Sequence, residues 1–165
     1  MRLVLLGNAG AGKSTLARRL IGDRDIARLS LDEIAWDVDA DSNPVRKPHA
    51  VSVALLHAFL EAHDEWIVEG CYGDLVEAAL PFADELRFLN PGTEVCVAHC
   101  HARPWEPDKF ATPEAQQAML DTLIEWVRRY DTRDDEYGLA RHRAIYLAYP
   151  GRKREHTTEL GPEEA

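Results

Sequence analysis

Residues 7–15 read GNAGAGKST, between an apolar run, RLVLLG, and a stretch, KSTLARRLI, whose Leu16, Ala17, Leu20 and Ile21 recur on one helical face. Gly7, Gly12, Lys13 and Ser14 satisfy the spacing G-x-x-x-x-G-K-[ST] in the strand-to-helix context that gives this pattern its physical meaning. Glycines at 7, 10 and 12 let the backbone wrap around an anion without side chains in the way. Successive N–H groups then face inward at the positive end of the following helix. Lys13 can reach the outer phosphates of a nucleoside triphosphate, and Ser14 can offer its hydroxyl to Mg²⁺. The whole run of Gly7, Asn8, Ala9, Gly10, Ala11, Gly12, Lys13, Ser14 and Thr15 is the expected nucleotide cradle. Such a beginning commits the chain to a buried strand with a helix packed on it.

Three further strands are expected. ARLSLD (27–32) ends in Asp32, WIVEG (66–70) carries Glu69 beside its end, and ELRFLN (85–90) stops at a Pro-Gly pair. A polar loop, DVDADSNPVRKP, separates the second strand from a helix over 50–62. Val51, Leu55, Phe59 and Ala62 mark the expected core face of that helix, extended by Ala54 and Ala58. Alternating strands and helices predict an α/β, three-layer fold, with a parallel sheet of four to five strands flanked by helices. Ligands of such sheets gather at the carboxyl ends of the strands, which singles out Asp32 and Glu69. Asp32 there can take a proton from an acceptor hydroxyl or hold a Mg²⁺-bound water, and Glu69 can hold a metal-bound water or position the acceptor.

A second long helix is expected from Pro113 to Tyr130, capped by Thr112 and carrying Met119, Leu123, Val127 and Tyr130 at helical spacing. The segment LARHRAIYLAYPG suits a helix through Ala140, Ala144, Leu147 and Ala148 slightly better than a strand over 144–149. The last dozen residues show no periodicity. The expectation is one domain over 1–150, with a lid region at about 103–143 and a mobile tail over 151–165.

Composition narrows the class. A chain of 165 residues, 45% of them hydrophobic, has room for one core. Its net charge of −10 disfavours nucleic acid and anionic membranes as partners, although residues 128–154 carry a local excess of four positive charges. No apolar stretch approaches the roughly 20 residues that cross a bilayer. Cys71, Cys96 and Cys100 are too few and too odd in number for a disulfide framework, so free thiols in the cytoplasm are expected.

Other motifs carry less. DVDAD, with Asp37, Asp39 and Asp41, begins like a calcium loop, but Ser42 stands where glycine is needed and Pro48 where the bidentate glutamate belongs. Asp37 is kept as a possible acceptor contact. Cys96, His99, Cys100 and His101 invite a zinc reading, yet His101 leaves the helix face shared by the cysteines, and core packing is preferred. Arg128, Arg129 and Arg133 end a helix, where they either close over phosphates as a lid or answer the helix dipole.

No guanine-reading NKxD segment is present, and no strand ends in two acids. On GNAGAGKSTLARRL, LSLDEIAWD, WIVEGCY and LNPGTEVCVAHCHAR, the chain resembles small P-loop kinases of the adenylate-kinase and shikimate-kinase type. It is more similar still to uncharacterised bacterial P-loop ATP-binding proteins of that superfamily. The resemblance implies Mg²⁺ and ATP, with GTP left open, and a small-molecule acceptor, either a nucleotide or a metabolite. It implies catalytic roles for Lys13, Asp32 and Arg103, the last starting the lid, and a metal held by Ser14 and Glu69. Two positions depart from the pattern: His99 replaces an arginine near the adenine, and Glu69 replaces an aspartate. A kinase is the expected activity. The other reading is a nucleotide-gated module or slow NTPase acting on a macromolecule.

Overall fold

The computed structural model describes residues 1–107 and 110–161. In chain order these form β1 (Arg2–Gly7), α1 (Lys13–Ile21), β2 (Ala27–Ser30), α2 (Asp32–Ala35), β3 (Trp36–Val38), β4 (Pro44–Arg46), α3 (His49–Ala62) and β5 (Trp66–Gly70). There follow α4 (Gly73–Ala79), β6 (Glu85–Leu89), α5 (Thr93–His101), α6 (Pro113–Arg128), α7 (Leu139–Ala148) and β7 (Arg152–His156). Five parallel strands make the main sheet in the order β2-β5-β1-β6-β7, and β3 and β4 form a separate antiparallel hairpin.

The alternation of side chains along a strand explains the layers. Val4, Leu6, Val68, Leu86 and Phe88 face one core, filled by Leu56 and Leu60 of α3, Leu75 and Val76 of α4, and Ile145 of α7. Leu3, Leu5, Ile67 and Leu89 face the other, filled by Leu16, Ala17 and Leu20 of α1, Cys96, Val97 and Cys100 of α5, and Val127 of α6. With helices on both faces, the central strands read as continuous apolar runs. Chain connections leave β1 and β5 toward opposite edges of the sheet, which opens a crevice above their carboxyl ends. There Leu6 lies in register with Gly70, Gly7 with Leu89, and Ser30 with Glu69.

Four expectations are corrected. The buried face of α3 is Ser52, Leu56 and Leu60, one position beyond the expected one, and Val51 and Leu55 are 46% and 43% exposed. Ser52 fits inside because its hydroxyl donates to the Ile34 carbonyl at 2.9 Å. Residues 139–148 are helical, but His142 and Ile145 point inward while Ala140, Ala144, Leu147 and Ala148 point out. The long helix ends at Arg128, two residues early, with Thr112 capping it as expected through Ala115 N at 3.1 Å. Val127 and Tyr130 are core residues, whereas Met119 is exposed.

The largest correction concerns the tail. Arg152–His156 is the fifth strand, paired in parallel with β6 from Glu85↔Arg152 to Leu89↔His156. A charged sequence suits an edge strand. Arg152 pairs with Glu85 at 2.8 Å and Arg143 with Glu155 at 2.5 Å, which pin the strand from both sides. Beyond it the chain turns back over α5 and α1, where Glu159 meets His99 and the Gly161 carbonyl accepts from Arg19 at 2.9 Å. No helix among the described residues is long and apolar enough to cross a membrane.

Candidate functional site

The loop between β1 and α1 turns through two left-handed glycines, Gly10 at φ 78° and Gly12 at φ 94°. Ala11 N–H donates to the Asn8 carbonyl at 3.2 Å, and Leu16 N–H donates to Gly12 at 2.9 Å to start α1. A Cβ on Gly10 would lie 2.3 Å from the Cys96 carbonyl, so α5 packs directly on the loop's back. A Cβ on Gly12 would meet nothing within 4 Å, so the space beside that residue is open. The buried Lys13 side chain folds across the turn, and its Nζ donates to the Gly7 and Asn8 carbonyls at 3.1 and 2.7 Å.

Asn8 looks the other way: its Nδ2 donates to the Val127 carbonyl at 3.1 Å and ties the loop to the end of α6. His99 Nδ1 donates to the Gly10 carbonyl at 2.6 Å, while Nε2 faces Glu159 at 2.8 Å. His99 thus braces the loop.

Ser14, on the first turn of α1, donates its hydroxyl to Glu69 Oε1 at 2.6 Å, and Arg28 Nη2 donates to the same oxygen at 2.5 Å. Glu69 is only 3% exposed. Burial pushes its pKa up, but Lys13, the Ser14 hydroxyl and Arg28 pull the other way and leave it below the usual carboxylate value. A hydroxyl beside an ionised carboxylate fits Mg²⁺, which takes few protein oxygens and leaves the rest of its shell to phosphates and water. No group of three or more His, Cys, Asp or Glu that could cage a metal occurs among the described residues.

On the neighbouring strand end, Asp32 opens α2 and accepts a short hydrogen bond from the Tyr72 hydroxyl. Trp36 Nε1 donates to the same hydroxyl oxygen at 2.7 Å. Burial and the Asp32 charge raise the Tyr72 pKa, so the phenol stays protonated and acts as the donor. The Arg46 guanidinium lies 4.6 Å from the Tyr72 ring centre and donates to the Tyr137 hydroxyl at 2.6 Å and to Asp74 at 3.2 Å.

Among solved structures, the deoxyadenosine kinase from M. mycoides with bound dATP matches with a TM-score of 0.51. The match covers 98% of this chain and 93% of that one, at 11% sequence identity. The fold is that of a P-loop kinase. No family model matches the sequence, and neither does any curated protein. At this identity the likeness concerns the course of the backbone.

Within the P-loop kinase fold, the structure brings Lys13, Ser14 and Glu69 together and sets Asp32 beside them through the β2–β5 pairing, with Leu31 N–H donating to the Glu69 carbonyl at 2.9 Å. The expected lid arginines lie past the end of α5 and around the end of α6. Arg103 is exposed just past α5. Arg128 pairs with Glu94 at 2.5 Å on the wall of a surface cleft of about 430 Å³. Arg129 is exposed. Arg133 is a staple: it holds Asp135 with two nitrogens, at 2.8 and 2.7 Å, and lies 4.4 Å from the Trp126 ring centre. Asp37 pairs with Lys47 at 3.1 Å; the Val38 N–H and Lys47 lower its pKa.

Cys96 and Cys100 are core residues behind Gly10. Burial pushes the Cys71 thiol up to about 12 and that of Cys96 to about 11, so neither is poised as a nucleophile. Sequence reasoning missed Arg28, Arg46 and the Tyr72–Trp36 pair. Tyr72 sits inside the quoted WIVEGCY, but nothing local tells that its hydroxyl reaches a residue 40 positions away.

Proposed function

We propose that this chain binds a nucleoside triphosphate in the Gly7–Thr15 loop and transfers its γ-phosphoryl group to a hydroxyl of a small molecule, a nucleotide or metabolite, held beside Asp32. The observation that carries the reading is the Ser14 hydroxyl on the buried Glu69 carboxylate at the carboxyl edge of the sheet, beside the loop across which Lys13 Nζ is folded.

Phosphoryl transfer asks a protein for positioning and for charge opposite the transferred group. The loop's N–H groups and the start of α1 supply fixed positive dipoles. Lys13 is held at the loop by two neutral carbonyls, partners it can exchange for charged phosphate oxygens. Mg²⁺, held by Ser14 and Glu69, would neutralise charge on the outer phosphates. Asp32 accepts the acceptor's proton, and the Tyr72 hydroxyl fixes one carboxylate oxygen so that the other faces the acceptor.

A screen with γ-labelled ATP and GTP tests the reading against nucleosides, nucleotides and small hydroxylated metabolites. Deoxyadenosine belongs in the panel because of the structural neighbour. The expected result is transfer by the wild type that far exceeds phosphate release to water. Lys13→Ala should lose it, and Asp32→Asn should lose transfer while still binding ATP. Slow release that no small molecule accelerates, but that a protein or RNA does, would replace this reading with a nucleotide-gated module.

A further inference from the structure

Helix α3 is apolar on both sides. Ser52, Leu56 and Leu60 turn inward, while Val51 and Leu55, nearly half exposed, stand outward among the exposed Ala50, Ala54, Ala58 and Ala62. No charged residue lies between Lys47 and Glu61, in a chain that is 29% charged. Phe82, 46% exposed, extends the bare surface beside the helix, its ring centre 5.4 Å from that of His57. A helix that is apolar all round ordinarily has neighbours on every side, and here the fold supplies them on one side only.

Charge, shape and size say what covers the other side. The first turn of α3 has no side-chain cap and no acidic residue, so its positive end is unanswered, and the last turn has no basic residue. Glu61, exposed near the far end, lies seven residues past Ala54 and so on the same side as the alanines. Each end of the helix offers what the other lacks, and an antiparallel pair of α3 helices brings the two together. Alanines at every fourth position make a low ridge along which two such helices can close to about 8 Å, with Val51 and Leu55 flanking the contact. The 14 residues of α3 span about 21 Å. Covering that length and Phe82 on both copies removes on the order of 1,000 Å², the size at which specific pairing begins. We propose that α3 is the interface of a homodimer. A two-fold axis across its middle sets Ala54 against Ala58 and Ala50 against Ala62 of the second copy, with Leu55 beside its own mate and Glu61 over the first turn of the opposite helix. The helix belongs to the layer opposite α1, so pairing leaves both phosphate loops open.

Sedimentation velocity on the full chain, from about 1 to about 200 µM, is the test. The expected result is a species of twice the chain mass that grows with concentration. Leu55→Lys places two like charges together at the axis, and Ala58→Glu blocks the ridge. Each should weaken association at least about a hundredfold while far-UV circular dichroism shows the fold intact. Met119→Lys, at an exposed apolar residue of α6, should leave association unchanged. The antiparallel register is read by mixing Ala50→Cys with Ala62→Cys under mild oxidation: disulfide-linked pairs of unlike variants should far outnumber pairs of like ones. A chain that stays monomeric across the range, a dimer that Leu55→Lys and Ala58→Glu leave intact, or preferred cross-linking of like variants overturns the proposal. Should one of the two charge variants fail to fold, the other decides.

Discussion

The Ser14 hydroxyl and the Glu69 carboxylate meet at 2.6 Å across 55 positions of sequence, joining the first turn of α1 to the end of β5. Arg28 completes the cluster, and Lys13 adds its charge. A carboxylate held below its ordinary value of 4.5 contributes stability that is fully present above that value and is lost as pH falls through the folded-state pKa. Glu69→Gln should be less stable than the wild type by about 2 kcal/mol at pH 7. Urea unfolding at pH 7, 4 and 3 should show that gap narrowing below pH 4.5; a gap independent of pH would rule out the ionised cluster.

Gly10 and Gly12 make different demands on the loop. Both have positive φ, but only at Gly10 would a Cβ strike backbone, at 2.3 Å from the Cys96 carbonyl. Gly12→Ala should cost about 1 kcal/mol from left-handed strain alone. Gly10→Ala must also push α5 away and should cost clearly more, with loss of nucleotide binding. Thermal melts of the two variants give the order directly, and equal shifts would contradict the packing of α5 on the loop.

The parts of this fold legible in the sequence are those fixed by local chemistry. RLVLLG, WIVEG and ELRFL are apolar runs closed by glycine or a polar residue, and the glycine spacing of 7–15 requires a strand before it and a helix after it. What escaped depends on contacts between distant segments. Ser52 enters the core because the Ile34 carbonyl is there to receive it, which shifts the whole face of α3 by one residue. RKREH has no strand pattern and pairs because β6 offers a free edge and Glu85 and Arg143 supply opposite charges. The arginines over 128–133 look like a phosphate-binding set in one dimension, yet Glu94 and Asp135 hold two of them locally. The motif marks Lys13 and Ser14, and the end of an apolar strand marks Glu69; Arg28 is not marked, because a lone arginine in a short strand carries no signal until its register with β5 is known.

His142 is fully buried between the end of α6 and the turn after β5, with Nδ1 at 2.8 Å from the Tyr130 hydroxyl and Nε2 at 2.9 Å from the Cys71 carbonyl. Burial is the main reason its pKa falls from 6.5 to about 4. The folded state therefore binds fewer protons than the unfolded chain between those values, and stability must fall as pH drops through that window. The wild type should lose on the order of 3 kcal/mol more than His142→Gln between pH 7 and pH 4. Parallel losses in denaturant titrations would show that His142 does not titrate with unfolding.

Tyr72→Phe removes the donor to Asp32 and the acceptor for Trp36 in one change. About 2 kcal/mol of stability should disappear, since one of the two hydrogen bonds goes to a charged group. The Trp36 indole should lose its fixed position, which its fluorescence anisotropy can report. Unchanged unfolding and unchanged anisotropy would mean that the Trp36–Tyr72–Asp32 chain is not formed.

The central claim is that Gly7–Thr15 cradles a nucleoside triphosphate. Calorimetric titration of Mg·ATP and Mg·GTP into the wild type and Lys13→Ala addresses it without knowledge of any acceptor. Saturable binding of at least one of them by the wild type, weakened by about a hundredfold or more in Lys13→Ala, is the predicted result. Absence of binding by the folded wild type, or equal binding by the variant, contradicts the account.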